Sequence, residues 1–514
     1  MNLRRRDLNR AALWLALCGW AAAPPARAQP APRWRSNPFT LGVASGQPRP
    51  DSVVLWTRLV AEDDEPGFEG LQRCAVHYEV FGDAELKRPV MQGEVHAEAA
   101  HAFSVHVHVQ GLAPQREYWY RFSCGDARST VGRTRTAPAV DAAVPRLRFA
   151  LASCQNYEHG YYAAHREIST RELDFVLFAG DYIYEGSSQG PMPRRHGAPI
   201  PLTLEEYRAR HALYKRDADL QAAHAAHPWI LTWDDHEVVN DYANDRDPAY
   251  TEPALFLQRR AAAYRAYFEH MPLLLPPQGA AMRIHDRFAW GRLAELWTLD
   301  TRQYRSHHVC PDPAHDWGRL VIGCEALADP SRTMLGADQA RWLAQGLAAS
   351  GRQWKLLGQS TQMSSASLDA PRGRQSWTDG WDGYPEARRQ LLQGIGEGGL
   401  RDVVVLGGDV HRYVAADLRV VPNDTASPVV ASEFVGGSIS SRGASRTSME
   451  WLQRDNPDVL HARGDERGYA FIEATPKAMQ CEFRATAHPA APDARFHTQA
   501  RFAVEAGHAG VKPA

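Results

Sequence analysis

Four short polar clusters carry residue types that bind metal ions. Each follows a run of apolar residues, and in open α/β sheets ligands bind beyond the carboxyl ends of the strands. Several carboxylates meeting at one such edge would repel one another unless a cation neutralised them. The clusters therefore predict a metal centre with more than one ion. They are Ser153-Cys154-Gln155-Asn156, Gly180-Asp181-Tyr182-Ile183-Tyr184-Glu185, Asp234-Asp235-His236-Glu237 and Gly407-Gly408-Asp409-Val410-His411.

Each cluster taken alone has an ordinary structural interpretation. A Gly-Asp-x-x-Tyr segment is commonly a turn after a strand, and Asp234-Asp235 is suited to the N-cap of a helix. Cys154 alone is more typical of a buried or disulfide-bonded cysteine. The four clusters together, in this order and each after a strand-like run, favour the metal site.

The elements that must position these clusters alternate between strands and helices. Continuous apolar runs of this length suit strands that are buried on both faces, and two intervening stretches, residues 207–226 and 254–267, are typical of helices. We expect a layered α/β domain over residues 139–490 and a loosely held tail over residues 491–514. The predicted strands cover residues 147–152, 175–179, 229–233, 293–299, 354–358 and 403–406.

The segment before this domain has a different pattern of apolar and polar residues. Residues 37–138 alternate apolar and polar residues at period two between turns, which predicts a small all-β domain. Gly111-Leu112-Ala113-Pro114 followed by Tyr118-Trp119-Tyr120 resembles the strand entry of fibronectin type III-like sandwiches. We expect this domain to carry no chemistry.

The first 28 residues are typical of a cleavable signal peptide. Arg4-Arg5-Arg6 precede an apolar stretch, Ala11–Ala23, that is short for a membrane span, and Ala26-Arg27-Ala28 forms a small-x-small site. The paired arginines resemble the twin-arginine export signal of bacteria, with the ordinary secretion route as the alternative. No later run reaches the about 20 apolar residues of a membrane span. We therefore expect the twin-arginine export machinery as a partner, a periplasmic or secreted location, and no transmembrane anchor.

Composition narrows the class of protein. Lys and Arg number 58 against 60 Asp and Glu, a formal net charge of −2 that argues against a nucleic acid partner bound through its backbone. A hydrophobic content of 44% excludes a mainly disordered chain. Six cysteines lie after the signal, and an oxidising compartment permits disulfides among them. Cys310 and Cys324 are the best candidate pair, Cys74 and Cys124 are a second possible pair, and the connectivity stays open.

The motifs resemble a known family. Gly180-Asp181-x-x-Tyr184, Asp235-His236-Glu237 and Gly408-Asp409-x-His411 are similar to the metallophosphoesterase motifs of purple acid phosphatases. Asp235 and Asp409 stand where those enzymes have Asn and His, and together with Ser153-Cys154-Gln155 they resemble the PhoD-like alkaline phosphatases. The resemblance implies a metallophosphoesterase-type β-sandwich flanked by helices, Fe³⁺ with one or more Ca²⁺ ions, and phosphate ester substrates.

The resemblance and the ligand chemistry imply a role for each residue. Phenolate and thiolate are anionic donors suited to a highly charged transition metal, whereas Ca²⁺ takes many oxygen ligands. We expect iron on Cys154, Asp181, Tyr184 and His411. Asp181 would bridge to calcium, which Asp235 and Asp409 complete. His236 is expected to contact the phosphate or the leaving oxygen.

One position departs from some family members, in which a basic residue follows the metal-binding tyrosine. This chain has Glu185 there. The phosphate charge must then be met by the metals, by His236, or by an arginine such as Arg412, Arg302 or Arg305. Gln359 and Asn240 are candidates for an additional oxygen ligand.

The predicted activity is hydrolysis of phosphate monoesters, with diesters as further candidate substrates and a metal-bound hydroxide as the nucleophile. The main alternative is a phosphodiesterase or phospholipase D-type hydrolase, since such sites cleave both kinds of ester. A non-catalytic secreted binding protein on the same scaffold is a further alternative.

Overall fold

The computed structural model describes residues 32–60, 68–249, 251–312 and 318–514. The predicted signal peptide lies outside these ranges. Within them the chain is mixed α/β, as predicted, with far more strands than helices. No helix in the described ranges combines the length and the apolar character needed to cross a membrane.

The strands are numbered in chain order. They are β1 (Val43–Gly46), β2 (Ser52–Arg58), β3 (Arg73–Phe81), β4 (Pro89–Glu98), β5 (Ser104–Gln110), β6 (Glu117–Cys124), β7 (Ala127–Arg128), β8 (Gly132–Arg135), β9 (Leu147–Ala152), β10 (Phe175–Ala179), β11 (Pro228–Thr232), β12 (Asp286–Trp290), β13 (Ala294–Thr298), β14 (Leu320–Val321), β15 (Trp354–Gly358), β16 (Leu368–Ala370), β17 (Gly373–Trp377), β18 (Val403–Gly407), β19 (Tyr413–Arg419), β20 (Val429–Gly436), β21 (Val459–Arg463), β22 (Arg467–Ala474), β23 (Ala478–Thr486), β24 (His497–Glu505) and β25 (Lys512–Pro513).

The α-helices are α1 (Ala163–Thr170), α2 (Leu204–Lys215), α3 (Ala218–Ala226), α4 (Pro253–His270), α5 (Ala337–Ala349), α6 (Pro385–Glu397) and α7 (Arg446–Asp455). The stretch predicted as helical over 207–226 divides into α2 and α3, because Asp217 caps the second helix through the amides of Asp219 and Leu220. Thr203 and Glu206 form a capping box at the start of α2.

Two large sheets form the core of the molecule. One has ten strands in the order β25-β24-β23-β22-β9-β10-β11-β1-β2-β5, and the other has seven in the order β12-β13-β15-β18-β20-β19-β21. Strands β9, β10 and β11 are parallel, as are β13, β15, β18 and β20. Apolar side chains of β9 and β10 pack with those of β15 and β18 in one buried cluster, so the two sheets lie face to face.

Helices cover the outer faces of both sheets. Side chains of α1, α2, α3 and α4 share a buried cluster with the outward residues of β10 and β11. Helices α5 and α6 pack in the same way against β15 and β18. The result is four layers, with helices outside and sheets inside.

The N-terminal β region is present, but it is not separate from the large sheet. Strands β3, β4, β6, β7 and β8 form a small sheet of their own. The first four of them share a buried cluster with β2 and β5. Strand β1 pairs in parallel with β11 and antiparallel with β2. One face of the N-terminal region is therefore an extension of the ten-stranded sheet.

The prediction of a loosely held tail over residues 491–514 is wrong. Strand β24 pairs with β23 along its length, and β25 pairs with β24 at the edge of the large sheet. Phe502 and Val504 of β24 are buried in the core between the sheets. Alternating apolar residues hold this segment in place, although its composition is dominated by small and polar residues.

The cysteines follow the expected pattern in part. Cys310 and Cys324 form a disulfide, as expected. Cys74 and Cys124 are buried and unbonded, with their sulfur atoms 3.7 Å apart. Cys154 and Cys481 are also buried and free.

Candidate metal centre

The four predicted clusters lie together at one edge of the two sheets. The amide of Cys154 donates to the carbonyl of Gly180, which joins the ends of β9 and β10. A Cβ at Gly180, where φ is +96°, would lie 2.6 Å from the amide nitrogen of Asp234, so glycine is needed where these two loops cross. A Cβ at Gly408 would lie 2.6 Å from the Ser153 hydroxyl, which places the end of β18 against the end of β9.

Several of these residues have a left-handed backbone conformation. Cys154, Asp181, Asp409 and His411 have φ values of 59°, 58°, 63° and 50°. Such conformations are costly for residues with a side chain and concentrate at functional sites. The alternative of a helix cap at Asp234-Asp235 does not apply, since residues 234–240 form turns and not a helix.

The first donor group consists of Cys154, Asp181 and His411, whose ligand atoms lie within 4.8 Å of one another. The Tyr184 hydroxyl donates to Asp181 Oδ2 over 2.8 Å and lies 2.9 Å from His411 Nε2. His411 Nδ1 contacts the Arg442 carbonyl, which leaves Nε2 directed at the group. The structure therefore brings together the four residues predicted to hold iron.

The electrostatics of this group are unfavourable without a cation. Burial, with the negative charge of Asp181, raises the pKa of the Cys154 thiol well above its usual value. Burial also raises the pKa of Asp181 and of Tyr184, whereas it lowers the pKa of His411 to about 3. A bound cation reverses the penalty on the anionic donors, because it stabilises their ionised forms. Asp181 Oδ1 is buried without a hydrogen-bond partner among the described residues.

The second donor group consists of Asp181, Asp235 and His236, so Asp181 is shared between the two groups. Asp235 accepts from the amides of His236 and Asp241. Burial raises the pKa of Asp235, but the charges of Arg302 and His236 outweigh it and the net pKa is lowered.

Glu185 supports His236, a role that sequence reasoning missed. Its Oε2 lies 2.6 Å from His236 Nδ1, and its Oε1 accepts from the amide of Asn240. The His236 ring stacks obliquely on Tyr184, with ring centroids 4.1 Å apart. Burial lowers the pKa of His236, but the charges of Glu185, Asp235 and Asp181 more than compensate and raise it well above its usual value.

A third donor group was not predicted. Ligand oxygens of Asp235, Asp241 and Asp379 lie within 4.8 Å of one another, so Asp235 is shared with the second group. Asp241 lies six residues after Asp235, and Asp379 follows β17, far away in sequence. Neither belongs to a cluster after one of the predicted strands, and the sequence offers no other signal for them.

Asp409 lies in the same cleft but outside the three groups. Its Oδ2 accepts from the Thr361 hydroxyl. Burial and the charge of Asp234 raise its pKa to about 8. Of the two candidates for an extra oxygen ligand, Asn240 lines the cleft, whereas the Gln359 amide oxygen is taken by the indole of Trp381 and the amide of Thr361.

A cleft of about 540 Å³ opens over these groups. Donor residues line it together with polar side chains that follow β15 and β18. Part of the wall is apolar and comes from the small sheet of β14, β16 and β17. Among the residues that line the cleft are Asp181, Asp235, His236, Leu320, Gln362, Ser364, Trp377, Asp409, His411 and Arg412.

Comparisons with known proteins identify the family of this chain. The family model described as PhoD-like phosphatase matches residues 149–483, and that of the PhoD-like phosphatase N-terminal domain matches residues 23–138. The chain belongs to the PhoD-like phosphatase family. It is 40% identical over 492 residues to Alkaline phosphatase D of Bacillus subtilis (strain 168), covering 94% of this chain and 83% of that protein. A solved structure described as "Structure of PhoD" matches with a TM-score of 0.88 and 40% identity, covering 94% of this chain and 93% of that one.

Membership of the PhoD-like phosphatase family makes the chain a phosphoric ester hydrolase. The three arginines considered as phosphate ligands differ in whether their guanidinium groups are already paired with carboxylates. Arg302 is buried and pairs with Asp234 and Asp379, and Arg305 is buried and also pairs with Asp379.

Arg412 is different from both. Its Nε donates to Gln362 Oε1 over 2.9 Å, and within the described ranges it forms no ion pair with a carboxylate. Of the three arginines considered from sequence, only Arg412 lines the cleft of this PhoD-like phosphatase.

Proposed function

We propose that this PhoD-like phosphatase is an exported, metal-dependent enzyme that hydrolyses phosphate monoesters. The observation that supports the proposal most directly is the sharing of Asp181 between two donor groups. A carboxylate with one buried, unpartnered oxygen and a neighbouring carboxylate at Asp235 suits a bridge between two cations.

The donor chemistry fits the two kinds of ion expected. Cys154, Tyr184, His411 and Asp181 offer sulfur, phenol, imidazole and carboxylate donors, a set that suits Fe³⁺ better than a hard alkaline-earth ion. Calcium would take oxygen donors from Asp181 and Asp235, with Asp409 nearby. The oxygen-only group of Asp235, Asp241 and Asp379 extends the calcium side. When bound, these ions would neutralise the phosphoryl oxygens and activate the attacking water.

The residues around the ions would position the substrate and move a proton. Glu185 holds His236 Nδ1, and it thereby fixes the ring and favours its protonation. His236 lines the cleft beside Asp181 and Asp235. We assign it the role of proton donor to the leaving oxygen, because Ca²⁺ prefers oxygen ligands and the Glu185 carboxylate favours a protonated ring.

Export is part of the proposal and is supported by sequence. Residues 1–28 would form a twin-arginine signal, followed by the N-terminal β domain and the catalytic domain. A route that exports folded proteins would allow metal loading before the Cys154 thiol meets an oxidising compartment. Mass spectrometry of the periplasmic protein should show a mature N-terminus after Ala28, and mutation of Arg5 and Arg6 to Lys should retain the precursor in the cytoplasm.

The central experiment measures metal content and hydrolysis together. The natively exported protein should contain iron and calcium and should hydrolyse p-nitrophenyl phosphate faster than bis-p-nitrophenyl phosphate. Chelation should abolish the activity, and Ca²⁺ should restore it while iron stays bound. Full activity in excess chelator, with no metal detected, would refute metal dependence, and a faster rate on the diester would favour the phosphodiesterase alternative.

The iron assignment has a spectroscopic test. An iron(III)–phenolate bond normally gives a visible charge-transfer band. The loaded protein should therefore be coloured, and Tyr184→Phe should lose that band while retaining the fold by circular dichroism. A wild-type protein that binds iron and keeps the same visible spectrum after Tyr184→Phe would exclude Tyr184 as a ligand.

A further inference from the structure

The loop of residues 438–443, which follows β20, packs against the predicted iron ligands. Ser440 and Ser441 in this loop are completely buried. The backbone amides of both serines donate to the carbonyl of Cys154, over 3.4 and 3.2 Å. The loop is therefore held against the end of β9, next to the first donor group.

The Ser441 side chain contacts one of these ligands directly. Its hydroxyl oxygen lies 2.8 Å from the Tyr184 hydroxyl oxygen and 2.8 Å from the Cys154 carbonyl oxygen. It also accepts from the amide of Asn156 over 3.1 Å. A serine hydroxyl carries a single proton, so at any moment it donates either to Tyr184 or to the Cys154 carbonyl.

The two other side chains in contact with the Tyr184 hydroxyl oxygen are acceptors. Asp181 Oδ2, 2.8 Å away, belongs to a carboxylate, which only accepts when ionised. His411 Nδ1 lies 2.8 Å from the Arg442 carbonyl, so in the neutral ring that binds a metal Nδ1 carries the proton. Nε2, 2.9 Å from the Tyr184 oxygen, is then the unprotonated nitrogen. Among the described residues that contact this oxygen, Ser441 is the one able to donate.

As a metal ligand, Tyr184 has no hydroxyl proton, and its oxygen can only accept. A phenolate accepts a hydrogen bond more strongly than a neutral carbonyl does, because charge assists the bond. The competing carbonyl of Cys154 already accepts from two backbone amides. The Ser441 proton is therefore expected on the Tyr184 oxygen when the site is loaded.

The next residue of the loop is also anchored at the site. The Arg442 amide donates to His159 Nδ1 over 3.2 Å, and the Arg442 carbonyl accepts from His411 Nδ1. His159 is itself held, because its Nε2 lies 2.7 Å from the Ser188 hydroxyl. These contacts fix the backbone beside Ser441, so the serine hydroxyl stays within reach of Tyr184.

We propose that Ser441 is a positioning residue of the iron site, whose hydroxyl donates a hydrogen bond to the Tyr184 phenolate and thereby strengthens iron binding. This inference rests on the proposed function, because it takes Tyr184 as an iron ligand. Hydrogen-bonded partners of metal ligands typically contribute about 10–100-fold to metal affinity. Ser441 acts through Tyr184 and takes no part in the chemical step.

Two neighbouring serines provide the test and its matched control. Ser441→Ala removes the donor to Tyr184. Ser440→Ala removes an equally buried hydroxyl, which donates over 2.7 Å to the carbonyl of Asn156 and not to a predicted ligand. A donated hydrogen bond lowers the energy of the phenolate electrons. The visible iron–phenolate band should therefore move to longer wavelength in Ser441→Ala and stay at the wild-type position in Ser440→Ala.

Iron affinity gives a second readout, measured by competition with a chelator. Ser441→Ala should raise the Kd for iron at least about tenfold, and Ser440→Ala should change it by less than about twofold. In the Tyr184→Phe background, Ser441→Ala should change the Kd by less than about twofold, because no phenolate remains to accept the bond. A purely structural role of Ser441 would give the same loss in both backgrounds.

The wild-type protein allows a test that needs no variant. Resonance Raman spectra of the iron-loaded protein should show a shift of the phenolate C–O stretching band when water is exchanged for D₂O, because the donated proton is replaced by a deuteron. Where Ser441→Ala is folded, as judged by circular dichroism melting, that shift should be absent.

Three results in iron-loaded protein would overturn the proposal. They are an unchanged visible band in Ser441→Ala, an equal loss of iron affinity in the wild-type and Tyr184→Phe backgrounds, and no D₂O shift in wild type. Failure of the proposed function has a different signature. In that case the wild-type protein would contain no iron, would show no visible band and would not hydrolyse p-nitrophenyl phosphate.

Discussion

Two groups of buried acidic side chains lie next to each other in this molecule and differ in what neutralises them. Asp234 and Asp379 are paired with Arg302, and Asp379 also contacts Arg305 and His308. Asp181, by contrast, has only neutral hydrogen-bond partners on one oxygen and none on the other. The protein supplies arginine partners to Asp234 and Asp379, whereas Asp181 forms no ion pair with an arginine or a lysine among the described residues.

The difference also affects the pKa values of Asp234 and Asp181. Burial raises the pKa of Asp234 to about 6, even though Arg302 opposes the shift. For Asp181 burial raises the pKa well above its usual value, and the charge of His236 only partly offsets this. A buried carboxylate without a paired cation is costly, and a bound metal is the usual compensation.

The strongest test removes the shared carboxylate. Asp181→Asn should lower the iron and calcium content together and should reduce kcat/KM by at least about 1,000-fold, above the 10–100-fold that is typical for residues that only support a ligand. Elemental analysis and p-nitrophenyl phosphate turnover would measure both. Asp234→Asn is the matched control and should retain its metals. Retention of both metals by Asp181→Asn would contradict the bridging assignment.

A second test removes the positive charge of Arg302 from beside Asp234 and Asp379. Arg302→Met would leave Asp234 and Asp379 buried with fewer positive partners, which should lower the free energy of unfolding by about 3–5 kcal/mol. Urea denaturation followed by circular dichroism would measure this, with Arg401→Met as an exposed control. A loss below about 1 kcal/mol would show that Arg302 does not neutralise this group.

The sequence predicted the parts of the site that follow buried strands. Continuous apolar runs identified β9, β10, β11 and β18, and the polar residues directly after them converge in the structure. Asp241 and Asp379 were missed because they follow no such run, and only the folded chain brings them beside Asp235. Sequence also could not distinguish Arg412 from Arg302 and Arg305, since an arginine's pairing depends on residues distant in the chain.

The sequence likewise predicted some features of the fold and missed others. The mixed α/β class and the N-terminal β region were predicted from periodicity. The pairing of β1 with β11 joins segments about 180 residues apart, and no local pattern indicates it. Strand β24 was mistaken for part of a tail, because small and polar residues obscured the alternation that buries Phe502 and Val504.

A further test concerns the ion pair of Glu185 and His236. Glu185→Gln removes the charge that raises the pKa of His236, so the imidazolium should deprotonate at a lower pH than in wild type. If His236 acts as a proton donor, the basic limb of the pH–kcat profile should move to lower pH, with a loss of about tenfold on the alkaline side. The direction holds with metals bound, because they act on His236 in both proteins.

The control for this test is His236→Gln. It should lose about 100-fold in kcat across the pH range while its iron and calcium content stays unchanged. A basic limb that does not move in Glu185→Gln would exclude His236 as the titrating donor. Loss of calcium in His236→Gln would instead place His236 among the metal ligands.

The smallest expected effect comes from a comparison of two buried, unbonded cysteines, Cys154 and Cys481. Burial raises the thiol pKa of both Cys154 and Cys481, but Cys154 lies within 4.8 Å of other donor atoms and Cys481 lies in the apolar core between the sheets. A thiolate forms readily only where a cation stabilises it, so a metal role is available to Cys154 alone.

Cys154→Ser should therefore weaken iron binding by about tenfold and calcium binding less, since serine keeps the size but not the soft, ionisable sulfur. Cys481→Ser should leave both metals bound and cost only about 1–3 kcal/mol of stability, because it places a hydroxyl in an apolar core. Elemental analysis after equilibration with limiting iron would measure the first effect, and denaturation the second. Mass mapping of the non-reduced active enzyme should find both cysteines free. A Cys154–Cys481 disulfide in that enzyme would remove Cys154 from the iron site and leave Asp181, Tyr184 and His411 as its remaining donors.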